Sequence, residues 1–503
     1  MIGVDAAEFS FIEAHLPKLP NFSRVLGNGV LRRLKSTSAL LNGSVWPTFY
    51  TASNPQDHGI YHHIQWDPQV MRMRRVTAEW LPAEPFYAKL ERNGIRVTAL
   101  DVPVSMRTHL DNGTEVTNFG VHDPFTEPRS NQRNLARDIL RQFGTHPMGC
   151  EIPVDRTERE LRRIRDQLLA GAKLKGELSR WLLGIRECDF FITVFAECHR
   201  AGHVLWPDGL QSQASPPPSA ELDVYRQVDQ AVGLVLDAID LSQTTVMLFS
   251  LHGMGVNDSK NYFLQDIMDR VNEGFAAREP DVFGSTRPKQ RGVIRSLMEV
   301  VPASVQNLVA SHVPAAVKDA VVDRSYTAGH DWAYTPAIGL RSDWSGYVRF
   351  NLRGRERDGM LDDDTRGRYE EWMRQCFMSL RDAVTDEPIV DQIHFTNQET
   401  SGARSPLLPD AIVTWTPIAP PSRIVSPLIG TLEGRLTDGR RGNHRSDGFL
   451  ITIGAGLDHG TNADPIHITE LAPIVFDRLL AGKRQTAGAG RGDDTFDGLM
   501  HLR

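Results

Sequence analysis

Glu197-Cys198-His199-Arg200-Ala201-Gly202-His203 follows the apolar run Phe190 to Phe195. Two histidines four residues apart, just beyond a buried strand, are well placed to offer two imidazoles to one metal ion. We read this stretch as a short strand ending in the histidine pair. Other metal-ligand types border apolar runs far away in sequence: Asp5 near the start, His252 after Thr244 to Ser250, and His444 before Phe449 to Ile453. The chain is read outward from this stretch as a fold that gathers distant loop residues around one site.

The 503 residues exceed what one simple core needs, so a main domain with insertions is expected. A content of 40% hydrophobic and 24% charged residues is that of an ordinary soluble globular protein. The net charge of -7 argues against a general nucleic-acid binder. Four cysteines without a C-x-x-C pair predict a reducing compartment and neither a zinc ribbon nor a disulfide scaffold. Met1 to Asp5 lacks the basic and apolar regions of a leader, and no uncharged run is long enough to span a bilayer, so the expectation is cytoplasmic with no membrane partner.

Strand-like runs alternate with helical patterns: Met1 to Asp5, Gly94 to Asp101, Phe190 to Phe195, Thr244 to Ser250 and Phe449 to Ile453, with helices such as Ala220 to Ile239 and Thr469 to Leu480 between or after them. The pattern predicts an α/β fold with a mainly parallel central sheet covered by helices on both faces. In such sheets functional residues collect beyond the carboxyl ends of the strands, where Asp5, Asp101, His199 and His252 fall. The expected organisation is a core in three parts, 1–110, 186–262 and 406–485. A cap is inserted at 111–185, a second insertion at 263–405 carries a core strand near 347–352, and 486–503 forms a flexible tail.

Six stretches carry a resemblance: Gly3-Val4-Asp5; Trp46 through Thr51 with Asn54-Pro55 and His58-Gly59; Gly202-His203; Ser250 through Gly255; Asn351 through Glu356; and Gly442-Asn443-His444. Together, in this order, the chain resembles the alkaline phosphatase superfamily in its type I phosphodiesterase and nucleotide pyrophosphatase branch. The resemblance implies two zinc-type ions and hydrolysis of an anionic ester. It carries metal-ligand roles onto Asp5, His203, His252 and His444. Three positions depart from it. The nucleophile's place, nine residues before Thr51, is Asn42, and an amide is not a nucleophile of that kind, though it can orient an anionic oxygen or a metal-bound water; a shifted register would put Ser44 or Thr48 there instead. One ligand aspartate is Leu251, and another is His199.

The altered ligand set predicts one firmly held ion, most simply zinc on His199, His203 and His444 with a fourth position open. Asp5 and His252 either hold a second, weaker ion, complete the first site, or act as acid and base beside it. Glu197 reads as a strand-end residue, as a partner for an imidazole N–H, or as a general acid. Arg440, Arg441 and Arg445 either clamp an anionic small-molecule substrate or form a solvated basic loop. Arg353, Arg355 and Glu356 read as a structural ion-pair turn, and Cys198 as an inert thiol unless it is a soft ligand. The function expected is metal-dependent hydrolysis of a phospho-, phosphono- or sulfo-ester by metal-activated water. The alternatives are a non-hydrolytic mononuclear metalloenzyme (group transfer, elimination or redox) and a binding protein that has lost turnover.

Overall fold

The computed structural model describes residues 1–81, 83–122, 127–149, 155–207, 219–280, 315–396, 402–456 and 464–488. The Ser/Pro-rich stretch 212–218, Cys150, much of the second insertion (281–314) and most of the expected tail (489–503) lie outside them.

The apolar runs do become strands of one large sheet. Its nine strands run in the order Ile466–His467, Val30–Lys35, Asp447–Gly454, Thr245–Ser250, Ile2–Val4, Phe190–Phe195, Val97–Leu100, Thr114–Thr117 and Arg129–Ser130. The centre is parallel: Ile2–Val4 lies between Phe190–Phe195 and Thr245–Ser250, and Val97–Leu100 pairs parallel with both its neighbours. Asp447–Gly454 runs antiparallel to both of its neighbours.

Successive side chains enter two different cores, which is why these strands read as unbroken apolar runs. Val246 and Leu248 pack with Phe22, Val25, Leu168, Val224 and Val228 from the helices of one face. Met247 and Phe249 pack with Trp46, Phe49, Phe86 and Leu471 from those of the other.

A second, antiparallel sheet holds Ala337–Leu340, Gly346–Phe350, Ala411–Trp415 and Val390–Phe395. It shares a core with the helices Leu264–Arg278 and Asp363–Met378. Two sequence expectations change accordingly. The strand near 347–352, expected in the main core, belongs to this smaller sheet, as does Ala411–Trp415. The stretch expected to form a cap, 111–185, instead supplies two strands of the main sheet and the long helix Glu158–Ile185 that covers it. Strong helical charge patterning from Arg156 onward hid that role, because a long helix with one buried stripe looks polar in sequence.

Candidate metal centre

The carboxyl ends of the central strands converge on one buried polar cluster. Asp5 directly follows Ile2–Val4 and is locked to the next strand by its amide, which donates to Phe195 O at 2.8 Å. Its carboxylate accepts from Trp46 Nε1 at 2.9 Å and from His199 Nδ1 at 2.6 Å, with His252 Nε2 3.9 Å away. Burial alone would raise this carboxyl; the His199 contact, His252 and the Trp46 hydrogen bond together hold it well below the usual carboxylate range.

His199 and His203 stand not on a strand end, as read from the sequence, but on the helix Glu197–Leu205 that follows the strand Phe190–Phe195. The four-residue spacing still serves, since i and i+4 lie one above the other on a helix. His203 Nδ1 donates to Gly442 O at 3.0 Å, and Arg441 N donates to His203 O at 2.7 Å. Helix and late strand approach so closely here that a Cβ on Gly442 would stand 2.2 Å from Gly202 O. A Cβ on Gly202 would in turn stand 2.6 Å from Met254 Cγ, so close packing accounts for both glycines. His444 sits on Gly442–Arg445, paired antiparallel with Gly253–Val256, so that it lies near His252.

With each Nδ1 donating, the neutral forms of His199 and His203 have their lone pairs on Nε2. Those two Nε2 atoms face each other at 3.0 Å. Two acceptors cannot face each other at this distance unless a proton or a metal ion lies between them, and the pair is placed to share a zinc-type ion. The ring of His444 stands 4.8 Å from that of His199, 5.0 Å from that of His203 and 4.9 Å from that of His252. Nδ1 of His252 and Nδ1 of His444 are buried without a hydrogen-bond partner. Burial pushes His252 down to about 4 and both His203 and His444 well below the ordinary histidine value. All three are therefore neutral near pH 7, the form that binds metal.

The expected triad of His199, His203 and His444 is brought together, and a further imidazole joins it. Among the described residues, the nitrogens that come within 4.8 Å of one another belong to His122, His199 and His203. His122 stacks flat on His199, with ring centroids 4.0 Å apart and planes 4° apart. Nothing in the sequence marked it: it lies in a loop with no periodicity and no motif, inside the stretch read as a cap.

Asn42 reaches the cluster's edge but is held at both ends of its amide. Tyr347 Oη donates to its Oδ1 at 3.1 Å, and its Nδ2 donates to Asp343 at 3.4 Å. Ser44 is fully buried, its Oγ 2.6 Å from Leu41 O and 2.7 Å from Thr37 Oγ1. Asp343, which the sequence reading missed, comes from the loop between the strands Ala337–Leu340 and Gly346–Phe350 of the smaller sheet. It accepts from Arg440 Nη1 at 2.7 Å, and Asn443 Nδ2 donates to its backbone carbonyl at 2.7 Å. Burial would raise its carboxyl, but Arg440, His62, His444 and His203 hold it well below the usual range.

Of the three late arginines, Arg440 is the one whose charge bears on His203 and His444. Arg441 donates to the carbonyls of Trp206 and Pro207. Arg445 donates to the carbonyls of His444 and Val256 and to Asp258. Glu197 is buried against His146, whose Nε2 is 3.0 Å from Oε1, so its imidazole partner lies outside the converging group. Cys198 is buried in the apolar core and burial pushes its thiol well up, which makes it inert.

Residues 1–377 match the family described as type I phosphodiesterase / nucleotide pyrophosphatase. The chain belongs to that family. As a phosphodiesterase-family protein it sits in a group of hydrolytic enzymes. Two solved structures resemble it over nearly their whole length. Phosphonoacetate hydrolase from Sinorhizobium meliloti 1021, in complex with phosphonoacetate, is 14% identical, covers 95% of each chain and has a TM-score of 0.51. Wild-type alkaline phosphatase PafA is 14% identical, covers 96% of this chain and 95% of its own, and has a TM-score of 0.53. At these identities the likeness establishes the alkaline-phosphatase-like fold. No curated protein matches the sequence. Among the described residues, no helix of this family member is long and apolar enough to cross a membrane.

The residues present fit a zinc-type ion. The donors are neutral imidazoles with their second nitrogens oriented by a carboxylate (His199) and a carbonyl (His203), the outer support that metal-bound histidines usually have. Leu251, read from the sequence as standing at a ligand position, is 1% exposed and packs in the apolar core.

Proposed function

We propose that this phosphodiesterase-family protein hydrolyses a small phospho-, phosphono- or sulfo-ester anion at a zinc-type centre built on His199 and His203, with Asp5, His252 and His444 around it. The observation that carries the reading is the 3.0 Å approach of two Nε2 atoms, each ring held from behind by a hydrogen bond from its Nδ1. Zinc in such a site supplies Lewis acidity to an ester oxygen and lowers the pKa of a bound water towards ~7.

The chain's own residues divide the remaining work. Asp5 fixes the His199 tautomer, and His252, neutral beside Asp5, is placed to accept a proton. Arg440, oriented by Asp343, offers a guanidinium to the anion. Asn42 cannot attack an ester, and its amide is held by Tyr347 and Asp343. The reaction proceeds by direct attack of water without a covalent intermediate on the enzyme. One ion is bound firmly and a second weakly.

Metal analysis of the purified protein, followed by a panel of aryl phosphate mono- and diesters, phosphonates and sulfates with and without chelator, tests this. About one zinc per chain and chelator-sensitive turnover are expected. A zinc-loaded protein inert across the panel overturns the hydrolase reading. Activity lost in Ser44→Ala and kept in Asn42→Ala would return the nucleophile to Ser44.

A further inference from the structure

We propose that His122 is a positioning residue for the metal centre: its ring, stacked flat on His199, sets the plane in which His199 aims its lone pair at the ion, and Arg200 holds it there. The proposal rests on the metal-centre reading above and deepens it.

A ligand imidazole must be fixed in reach and in plane, because its lone pair lies in the plane of the ring. The contact of His199 Nδ1 with Asp5, at 2.6 Å, fixes the reach. It leaves the plane open, since the outer torsion of a histidine side chain has no sharp staggered wells and the ring can swing. Four histidines surround that ring. Those of His203, His444 and His252 meet it at 48°, 80° and 89°. His122 is the one that lies parallel, with ring centroids 4.0 Å and planes 4° apart.

Parallel rings hold their lone pairs in parallel planes. An ion in the plane of His199 therefore lies off the axis of every lone pair of His122. What His122 brings to the site is a flat surface and not a nitrogen.

The loop that carries this surface is held from both sides. It leaves the carboxyl end of the strand Thr114–Thr117, beside the strand Val97–Leu100 and the Asp101 that follows it. Asp101 adopts a left-handed backbone, φ 55°, which a non-glycine residue takes up only when its surroundings fix it. Its carboxylate accepts the amides of Phe119 at 2.8 Å and Gly120 at 2.6 Å, and is paired with Lys175; both members of that pair are wholly buried. On the far side stands Arg200, fully buried. Its Nη2 donates to the carbonyls of Val121 and His122, the latter at 3.0 Å, and its Nη1 donates to those of Met148 and Gly149 at 3.2 and 3.0 Å.

Burying charged groups is costly unless they are paired and hydrogen-bonded. Here an anion just before His122 and a cation at His122 itself are devoted largely to the backbone of one short loop. What that loop delivers is an imidazole, 8% exposed, lying on a ligand. Arg200 follows His199 directly on the helix Glu197–Leu205, so the helix that carries the ligand also braces the ring stacked on it.

Zinc affinity, measured by competition with a chromophoric chelator, and the visible spectrum of the cobalt-substituted protein test the stack. A melt in chelator checks the fold of each variant. His122→Phe keeps a flat ring and removes both nitrogens, so it should hold zinc as tightly as the wild type, with the cobalt bands unchanged. His122→Ala removes the surface and should weaken zinc binding roughly tenfold, with shifted bands. His122→Leu, which fills the space without a flat face, serves if His122→Ala does not fold. Arg200→Lys, which keeps the charge and loses the forked geometry, should also weaken binding, and joining it to His122→Ala should add nothing, because the arginine acts through the ring. Losses that add in full would remove Arg200 from the proposal. Affinity lost equally in His122→Phe and His122→Ala, or unchanged in both, overturns the positioning role. A wild-type protein without tight zinc overturns the metal centre itself, and the role of the stack with it.

Discussion

Two buried polar clusters in this chain follow opposite rules. In the smaller domain, Arg349, Arg355, Glu356 and Asp410 set two cations against two anions. Every carboxylate oxygen there is engaged. Glu356 Oε1 accepts from Arg349 Nε at 2.7 Å and its Oε2 from Leu352 N at 3.0 Å, while Asp410 takes Arg355 Nη1 at 2.5 Å, Arg355 Nη2 at 2.8 Å and Phe350 N at 2.7 Å. Arg349 Nη2 alone lacks a partner. In the main domain, one carboxylate, Asp5, stands among five imidazoles; two nitrogens oppose each other and two more have no hydrogen-bond partner. The first cluster balances its charges as folded, the mark of a stabilising network. The second leaves nitrogens without partners, the arrangement on which the proposed metal site rests.

The contrast can be broken most strongly at the ion-pair cluster. Glu356→Ala takes from buried Arg349 its closest carboxylate and leaves Asp410 alone to face two arginines, and should cost roughly 3–5 kcal/mol in urea unfolding, with or without zinc. A loss no larger than that of a surface substitution would remove the structural role. Zinc should do the reverse at the other cluster. At about a hundred times its dissociation constant it should raise stability by about 2.7 kcal/mol, and His203→Ala should abolish that gain. A shift in the melt that survives His203→Ala would place the ion elsewhere.

A third expectation concerns pH. His58 is buried, receives Ile60 N at Nδ1 and lies 3.0 Å from Thr48 Oγ1 through Nε2; burial pushes it down to about 3 from 6.5. Its folded value lies below its unfolded one, so the unfolded chain binds the extra proton. The stability it contributes is therefore whole above pH 6.5 and is lost as the pH falls from there towards 3. At pH 5 the loss from this group is about 2 kcal/mol, and His58→Gln should flatten the pH dependence of unfolding by that amount. The smallest effect is expected at Cys198. Buried in the apolar core, it should react with thiol reagents only on unfolding, and Cys198→Ala should leave zinc affinity unchanged. Rapid labelling of the native thiol, blocked by zinc, would make it part of the site after all.

The sequence was informative where residues are tied to regular structure. Asp5 and His252 follow buried strands directly, and their position at the carboxyl ends was readable from the apolar runs alone. The ion-pair turn is likewise a local feature: Arg355 and Glu356 pair as read, whereas Arg353 points out to solvent and faces Asp362 instead. His122 and Asp343 were not legible, because each sits on an irregular loop whose course is fixed by distant partners: Arg200 and Asp101 for one, Arg440, Asn42 and Asn443 for the other. The strand Gly346–Phe350 was assigned to the wrong sheet for a related reason. Periodicity announces a strand but not its neighbours.

By itself, then, the sequence determined the family and the parallel core, since these depend on which residue types occupy positions along the chain. Tertiary structure decided which nitrogens meet. Hydrogen bonds from His199 Nδ1 to Asp5 and from His203 Nδ1 to Gly442 O turn two Nε2 atoms toward each other, and a buried arginine next to one of those histidines holds the loop of a third. Ligand geometry of this kind arises from contacts between residues dozens to hundreds apart, and such contacts leave no pattern in the order of the amino acids.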